Sequence, residues 1–408
     1  MRKLLNEMRK LSLTFLIFIL IIQSSQGQIE KMPYDINGNS WFENIKIGGY
    51  VQTRYNRLLE TNPNLDCNQC DKSWGAGNGI SLRRVRLKFS GNIGKYVYFY
   101  IQPDFASTGS GSGQHFGQLR DAYFDVSLDE KREFRFRFGQ SKIPYGFENM
   151  QSSQNRLPLD RNDGMNSSIK NERELSVLFY WAPEETRKLF RELVAEGLKG
   201  SGDYGVVGFG VFNGQTGNAP ELNDALHIVG RISYPIQFGN QIIEPGIQAY
   251  TGQYQMPQSN LSDGVNVKEN LNYLDQRAAA TFVLYPQPFG IQAEYNWGTG
   301  PEFNKNTNTI EQTNLEGGYA TLTYKISKFK QLFYPFIRYH YYDGGKKFEL
   351  DARSYNVSEL EIGMEWRPVR AFELVAHYTI SSRRYEDFQN QDNLQTGRLL
   401  RLQAQVNF

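Results

Sequence analysis

Basic side chains recur at every second residue in two stretches of this chain. After Ser81, the residues Arg84, Arg86 and Lys88 alternate with Val85, Leu87 and Phe89; after Glu133, Arg135 and Arg137 alternate with Phe134, Phe136 and Phe138. Successive side chains of a strand point to opposite faces, so each stretch carries a row of cations on one face and an apolar row on the other. If the Phe and Leu rows face lipid, the cations face a water-filled space, where they would draw in small anions. The alternative is the solvated face of a soluble sheet. Lys142 has the parity of the phenylalanines and joins the cations only if a bulge lies near Gly139. An acidic row balances the basic ones: Glu359, Glu361 and Glu365 alternate with Leu360, Ile362, Met364 and Trp366, and Glu373 and Glu294 are similarly placed. A basic and an acidic side together set up a transverse field, which moderates any preference for anions.

Other reactive residues suggest less. Cys67 and Cys70 form a lone CxxC without a second cysteine pair, a poor zinc site that reads as a local disulfide or as nothing functional, so no metal or cofactor is expected. The glycine run at 109–113 lacks the Lys-Ser/Thr of a phosphate-binding loop. Parity places His227, His340 and His377 on inward faces and His115 in a loop. Glu373, His377 and Ser381 share one face, but at i, i+4 and i+8 of a strand they are spaced by about 13 Å, too far for a proton relay.

The elements that must position these residues are strands. Upward strands are read near 46–57, 95–104, 134–145, 204–213, 243–254, 289–298, 334–343 and 372–383, and downward ones near 82–90, 119–128, 173–181, 226–236, 277–286, 317–327, 357–367 and 399–408. In the last, Leu402, Ala404, Val406 and Phe408 face one way and Arg401, Gln403, Gln405 and Asn407 the other. The connectors alternate between tight turns, such as 91–94, 129–133, 286–288, 327–330 and 368–370, and long polar loops at 58–80, 105–118, 146–172, 255–276, 299–316 and 384–398. An even number of strands with short turns at one end and long loops at the other is the signature of a closed, antiparallel transmembrane β-barrel of about sixteen strands. The stretch 183–199 breaks the pattern: it has helical spacing where a tight turn belongs, and reads as a small helix or an extension of the flanking strands.

Arg2, Lys3, Arg9 and Lys10 precede the apolar run Leu11 to Ile22, with Ser25 and Gly27 after it, which reads as a secretory signal peptide over residues 1–27. Four of its charged residues are basic and one acidic, so the net charge of +2 becomes −1 once it is removed, and a nucleic-acid partner is not expected. Hydrophobic residues make up only 39% while aromatics reach 14%, a balance that suits a wall with lipid outside, water inside and aromatic rings at both interfaces. The rival readings are a secreted soluble β-sandwich that binds a ligand and an outer-membrane barrel enzyme. A plugged transporter of twenty-two strands needs a longer chain.

The run FGQSKIPYGFE, Phe138 to Glu148, followed by NERELSV, Asn171 to Val177, resembles the phosphate-selective porin O and P family. So does SLRRVRLKFSGNIGKYVYFYIQPDF, Ser81 to Phe105, with LRDAYFDVSL, Leu119 to Leu128. The resemblance extends over residues 28–408. It implies a sixteen-stranded barrel in the outer membrane of a Gram-negative-type bacterium, assembled as a homotrimer among outer-membrane lipids, through which small anions or other polar solutes diffuse passively. It also implies that the loop after the KIPYG strand, about 147–170, folds into the channel as its constriction and brings Arg156 and Arg161 with it. The expected anion-interacting set is then Arg84, Arg86, Lys88, Arg135, Arg137, Lys142, Arg156 and Arg161, opposed by Asp160 and Asp163. The loop 255–276 offers only Lys268 against Asp263, Glu269 and Asp275, a departure from the basic cluster the resemblance implies there. Phe408 resembles the terminal aromatic signal read by barrel-assembly machinery.

Overall fold

The computed structural model describes residues 44–59, 79–108 and 114–408. The expected leader, Cys67, Cys70 and the glycine run 109–113 lie outside them. Among the described residues there are eighteen strand segments: β1 (Lys46–Leu58), β2 (Gly79–Ile93), β3 (Val97–Thr108), β4 (Gln114–Ser127), β5 (Phe134–Lys142), β6 (Arg173–Trp181), β7 (Val207–Phe212), β8 (His227–Ser233), β9 (Ile236–Phe238), β10 (Gln241–Gln255), β11 (Asn272–Leu284), β12 (Phe289–Asn304), β13 (Thr309–Tyr324), β14 (Ile326–Lys328), β15 (Gln331–Gly345), β16 (Ser354–Val369), β17 (Phe372–Glu386) and β18 (Leu394–Asn407). Both β8 and β9 pair with β10, and both β13 and β14 with β15, so each couple is one wall strand broken in two and the wall has sixteen. Strand β1 bonds β2 on one side and β18 on the other, where Tyr50 meets Asn407 and Leu58 meets Leu399. The sheet therefore closes on itself and leaves no unpaired edge.

The wall is inside out relative to a soluble protein. On β18, Leu402 is 44% exposed while its neighbour Arg401 is fully buried. Outward Tyr295, Trp297 and Tyr339 lie toward the long-loop rim, and Phe289, Tyr324 and Phe333 toward the other, the two aromatic girdles expected where a wall crosses from lipid to water. Several strands run further than the hydropathy pattern suggests. Pairing continues from Thr299↔Asn314 to Asn304↔Thr309, so most of the expected loop 299–316 is a two-stranded extension. Beyond the lipid the outer face meets water and the apolar alternation that marks a membrane wall fades, although the backbone bonding does not. For the same reason His115 lies in β4 and Asp275 in β11 rather than in loops.

Two of the connections that turn inward carry α-helices. The one between β5 and β6 carries two short helices, α1 (Phe147–Met150) and α2 (Asp163–Asn166), and the one between β6 and β7 carries α3 (Glu184–Ala195). Helix is thus the outcome for the ambiguous stretch 183–199. Thr186, Phe190 and Leu193 form its buried stripe at i, i+4 and i+7, and Glu184 and Glu185 sit in its first turn, where the helix dipole favours acids. The β5–β6 connection packs inside the barrel: Tyr145, Met165 and Ile169 pack against Leu178, Tyr250 and Ala279, and Leu157 against Tyr334 and Phe336.

Candidate functional site

The site is built where the inward loop meets the basic wall. On β2, Gln52 pairs with Arg84 but Thr53 pairs with Leu82, so Arg83 is an extra residue, a β-bulge. The bulge re-aims Arg83: its Nη2 lies 3.9 Å from Asp160 of the loop, beside Arg84. Simple alternation assigns Arg83 to the outer face and misses it. Arg84 and Arg86 are buried on the inward face, and Lys88 keeps partial exposure there.

The cations differ in how far they are neutralised. Arg86 binds Asp104 at 2.7 Å, Arg137 binds Asp125 at 2.7 Å, Arg135 binds Asp203 at 2.7 Å and Arg161 binds Glu172 at 3.0 Å. Lys88 donates to Gln154 at 3.2 Å. Among the described residues, two guanidinium groups of the expected set, those of Arg84 and Arg156, meet no carboxylate. Arg84 donates from Nη1 to Gln52 at 2.8 Å and its Nε is unpartnered. Arg156, 5% exposed, has no partner for Nε or Nη1.

Lys142 is inward without the bulge that parity requires. The register of β5 runs unbroken against both β4 and β6, so no residue is inserted. Gly139 instead adopts φ +114°, a conformation open to glycine, and alternation stops there: Gln140, Ser141 and Lys142 are all buried. A Cβ at Gly139 would stand 2.3 Å from the carbonyl oxygen of Ala122. The ammonium of Lys142 donates to the carbonyls of Asn149, Met150 and Gln151 at 2.8–3.0 Å and so ties the loop to the wall.

The loop is anchored around most of the circumference. Asp160 meets Arg54 at 3.4 Å and also Arg401; Glu148 meets Arg338 at 3.2 Å; Asp163 meets Arg383 at 3.1 Å and also Lys346; Ser167 accepts from Arg277 at 2.6 Å. Arg54 and Arg401 have the inward parity of their strands, the signal that sequence offered for them; Lys346 comes from a second inward-bent loop, where no periodicity points to it. The acidic row Glu359, Glu361, Glu365 and Glu373 lies inward and buried, as does Glu294, which accepts from the backbone of Phe147 and Glu148. Asp163, His340 and Glu359 lie close enough to share a cation, but Lys346 and Arg383 already supply that charge. Ser381 donates to Glu359 and His377 faces Glu361, so Glu373, His377 and Ser381 serve separate partners. Asp275 is buried against Arg277 and Lys347, and is no counter-charge to a solute.

Water reaches the interior unevenly. The inward side chains of β11, β17 and β18 are buried, whereas Lys88, Tyr98, Tyr100, Arg120 and Tyr123 on β2 to β4 stay partly exposed. The open part of the lumen therefore runs beside β2–β4, past Arg83, Arg84 and Arg156.

A closed sixteen-stranded wall, apolar outside, with a charged interior narrowed by a loop, defines an outer-membrane channel. The chain belongs to the family Phosphate-selective porin O and P, whose model matches residues 59–408. It is an outer-membrane porin, a path for passive diffusion, with its short turns at the periplasmic rim and long loops outside. Among solved structures it resembles the outer membrane channel DcaP of Acinetobacter baumannii (15% identity, TM-score 0.55, covering 89% of this chain and 97% of that one). It also resembles Salmonella typhi OmpF in complex with daunomycin (12%, 0.57, 90% and 98%) and an anion-selective porin from Comamonas acidovorans (11%, 0.53, 89% and 99%). At these identities the likeness is one of fold. No curated protein matches the sequence. Family and fold are those of a channel rather than an enzyme.

Proposed function

We propose that this porin passes small polar solutes with a moderate preference for anions, and that the loop 143–172 is its constriction. The observation that carries the reading is the pair Arg84 and Arg156, buried guanidinium groups that meet no carboxylate among the described residues and lie beside the open part of the lumen. An uncompensated cation in a narrow bore acts on every ion that passes, since the Debye length at physiological salt is about 8 Å. Arg86, Arg135, Arg137 and Arg161 share the lumen, but their field is largely cancelled by a bonded acid, which makes the preference moderate. Lys142 acts as a loop anchor and contributes charge only as part of that anchor. The working form is a homotrimer in outer-membrane lipid, released from its leader near Gln28 and inserted by assembly machinery that reads Phe408.

The test is the reversal potential in a salt gradient across a planar bilayer. Replacing both Arg84→Glu and Arg156→Glu shifts it toward cations. The same exchange at Arg137, which strands Asp125 as well, shifts it less. A double variant that inserts normally and keeps the parent's reversal potential removes the basis of the anion reading.

A further inference from the structure

The connection between β6 and β7, residues 182–206, does more than turn the chain. It leaves the wall at Trp181 and returns at Val207, yet Lys199 Nζ bonds both carboxylate oxygens of Glu365 on β16, at 2.6 and 2.8 Å. Beside it, the hydroxyl of Tyr334 on β15 donates to the carbonyl of Gly197 at 2.9 Å, and Lys325 donates to that of Glu196 at 3.0 Å. With each broken strand counted once, β16 stands eight places from β6 around a wall of sixteen. The segment therefore crosses the lumen from one side to the other near the periplasmic rim.

The crossing is built and supported. Phe190, Leu193 and Leu198 pack with Val283, Tyr285 and Phe147, the last from the constriction loop. Gly197 has φ +70° and permits the sharp exit from α3. Asp203 is held by Arg135 and by Arg187 at 2.8 Å on the return limb, so Arg135 serves the crossing rather than a passing anion. The loop rests on the crossing from above: Gln151 donates to the carbonyl of Lys199 at 2.6 Å and Asn155 to that of Gly200 at 2.8 Å.

We infer that residues 182–206 form a second constriction, a strap across the periplasmic half of the pore, and that Lys199 is the residue that positions it. The strap and the loop are obstructions in series, coupled through Gln151 and Asn155. The inference concerns how much current passes. It stands or falls apart from the anion reading, which concerns the sign of the ions.

Single-channel conductance tests it. Lys199→Met removes the ion pair at the far end of the strap and leaves it there only the single hydrogen bonds from Tyr334 and Lys325, and it leaves Glu365 still paired with Arg367 at 2.7 Å, so no buried carboxylate is stranded. Conductance should rise, by about twofold if loop and strap resist equally, while Lys199→Arg keeps the parent value. A second arm covers a Lys199→Met chain that does not fold. Lys199→Cys, in a chain also carrying Cys67→Ser and Cys70→Ser, is folded with a disulfide-linked aminoethyl group as a lysine mimic. It is then reduced in the bilayer, and the conductance should step up on reduction. A folded Lys199→Met barrel with parental conductance, or a reduced channel that shows no step, overturns the inference.

Discussion

Asp160 faces three guanidinium groups, Arg54 at 3.4 Å, Arg83 at 3.9 Å and Arg401. It limits the positive field of the constriction, and the β2 bulge adds Arg83 to the cations around it. Asp160→Asn keeps the shape and removes the charge. The reversal potential in a salt gradient should move toward anions, opposite in sign to the effect of Arg84→Glu with Arg156→Glu. Breaking a buried pair costs about 3–5 kcal/mol, which should appear as a noisier open channel while the wall stays closed. A shift toward cations would place Asp160 outside the ion path.

At the scale of elements, β5 depends on one residue. Gly139 holds φ +114° and its missing Cβ leaves room for the Ala122 carbonyl at 2.3 Å. Gly139→Val would meet both obstacles, with about 1–3 kcal/mol from the backbone alone, and would move Lys142 off the three carbonyls it holds. Less of the variant should reach the heat-modifiable folded form, and its constriction loop should be cut faster by protease. Strand β18 ends in another such point: Phe408 exchanges two backbone hydrogen bonds with Gly49 of β1 and so closes the barrel at the periplasmic rim. Deleting Phe408 should lower the folded protein in the outer membrane with synthesis unchanged, as read by surface labelling against total protein.

For the whole molecule, every wall strand has two bonded neighbours. A closed wall resists detergent until heat breaks it as a unit. Unboiled samples in SDS should migrate apart from boiled ones, with a band at trimer size if three barrels associate. Identical migration of boiled and unboiled samples, after extraction from membranes, would contradict a closed wall.

How much of this was legible in the sequence follows from which forces act locally. Side-chain alternation is a property of the extended backbone, so the sixteen wall strands, the inward rows Arg84, Arg86 and Arg135, Arg137, and the acidic row Glu359, Glu361, Glu365 could be read residue by residue. The inward set of Arg54 and Arg401 followed the same parity. Whatever depends on a partner far along the chain could not be read. The bulge that turns Arg83 inward shows only in pairing with β1, and the strand extensions past Thr299 and before Asn314 show only in backbone bonds between the two strands. Which cations remain uncompensated was decided by register and by the β6–β7 connection: Asp104 lies opposite Arg86 on the neighbouring strand and Asp203 reaches Arg135, while among the described residues Arg84, Arg156 and Lys88 meet no carboxylate. The span of Lys199 to Glu365 is the extreme case: 166 residues apart in sequence, they meet only because the wall closes into a circle and the β6–β7 connection reaches across it.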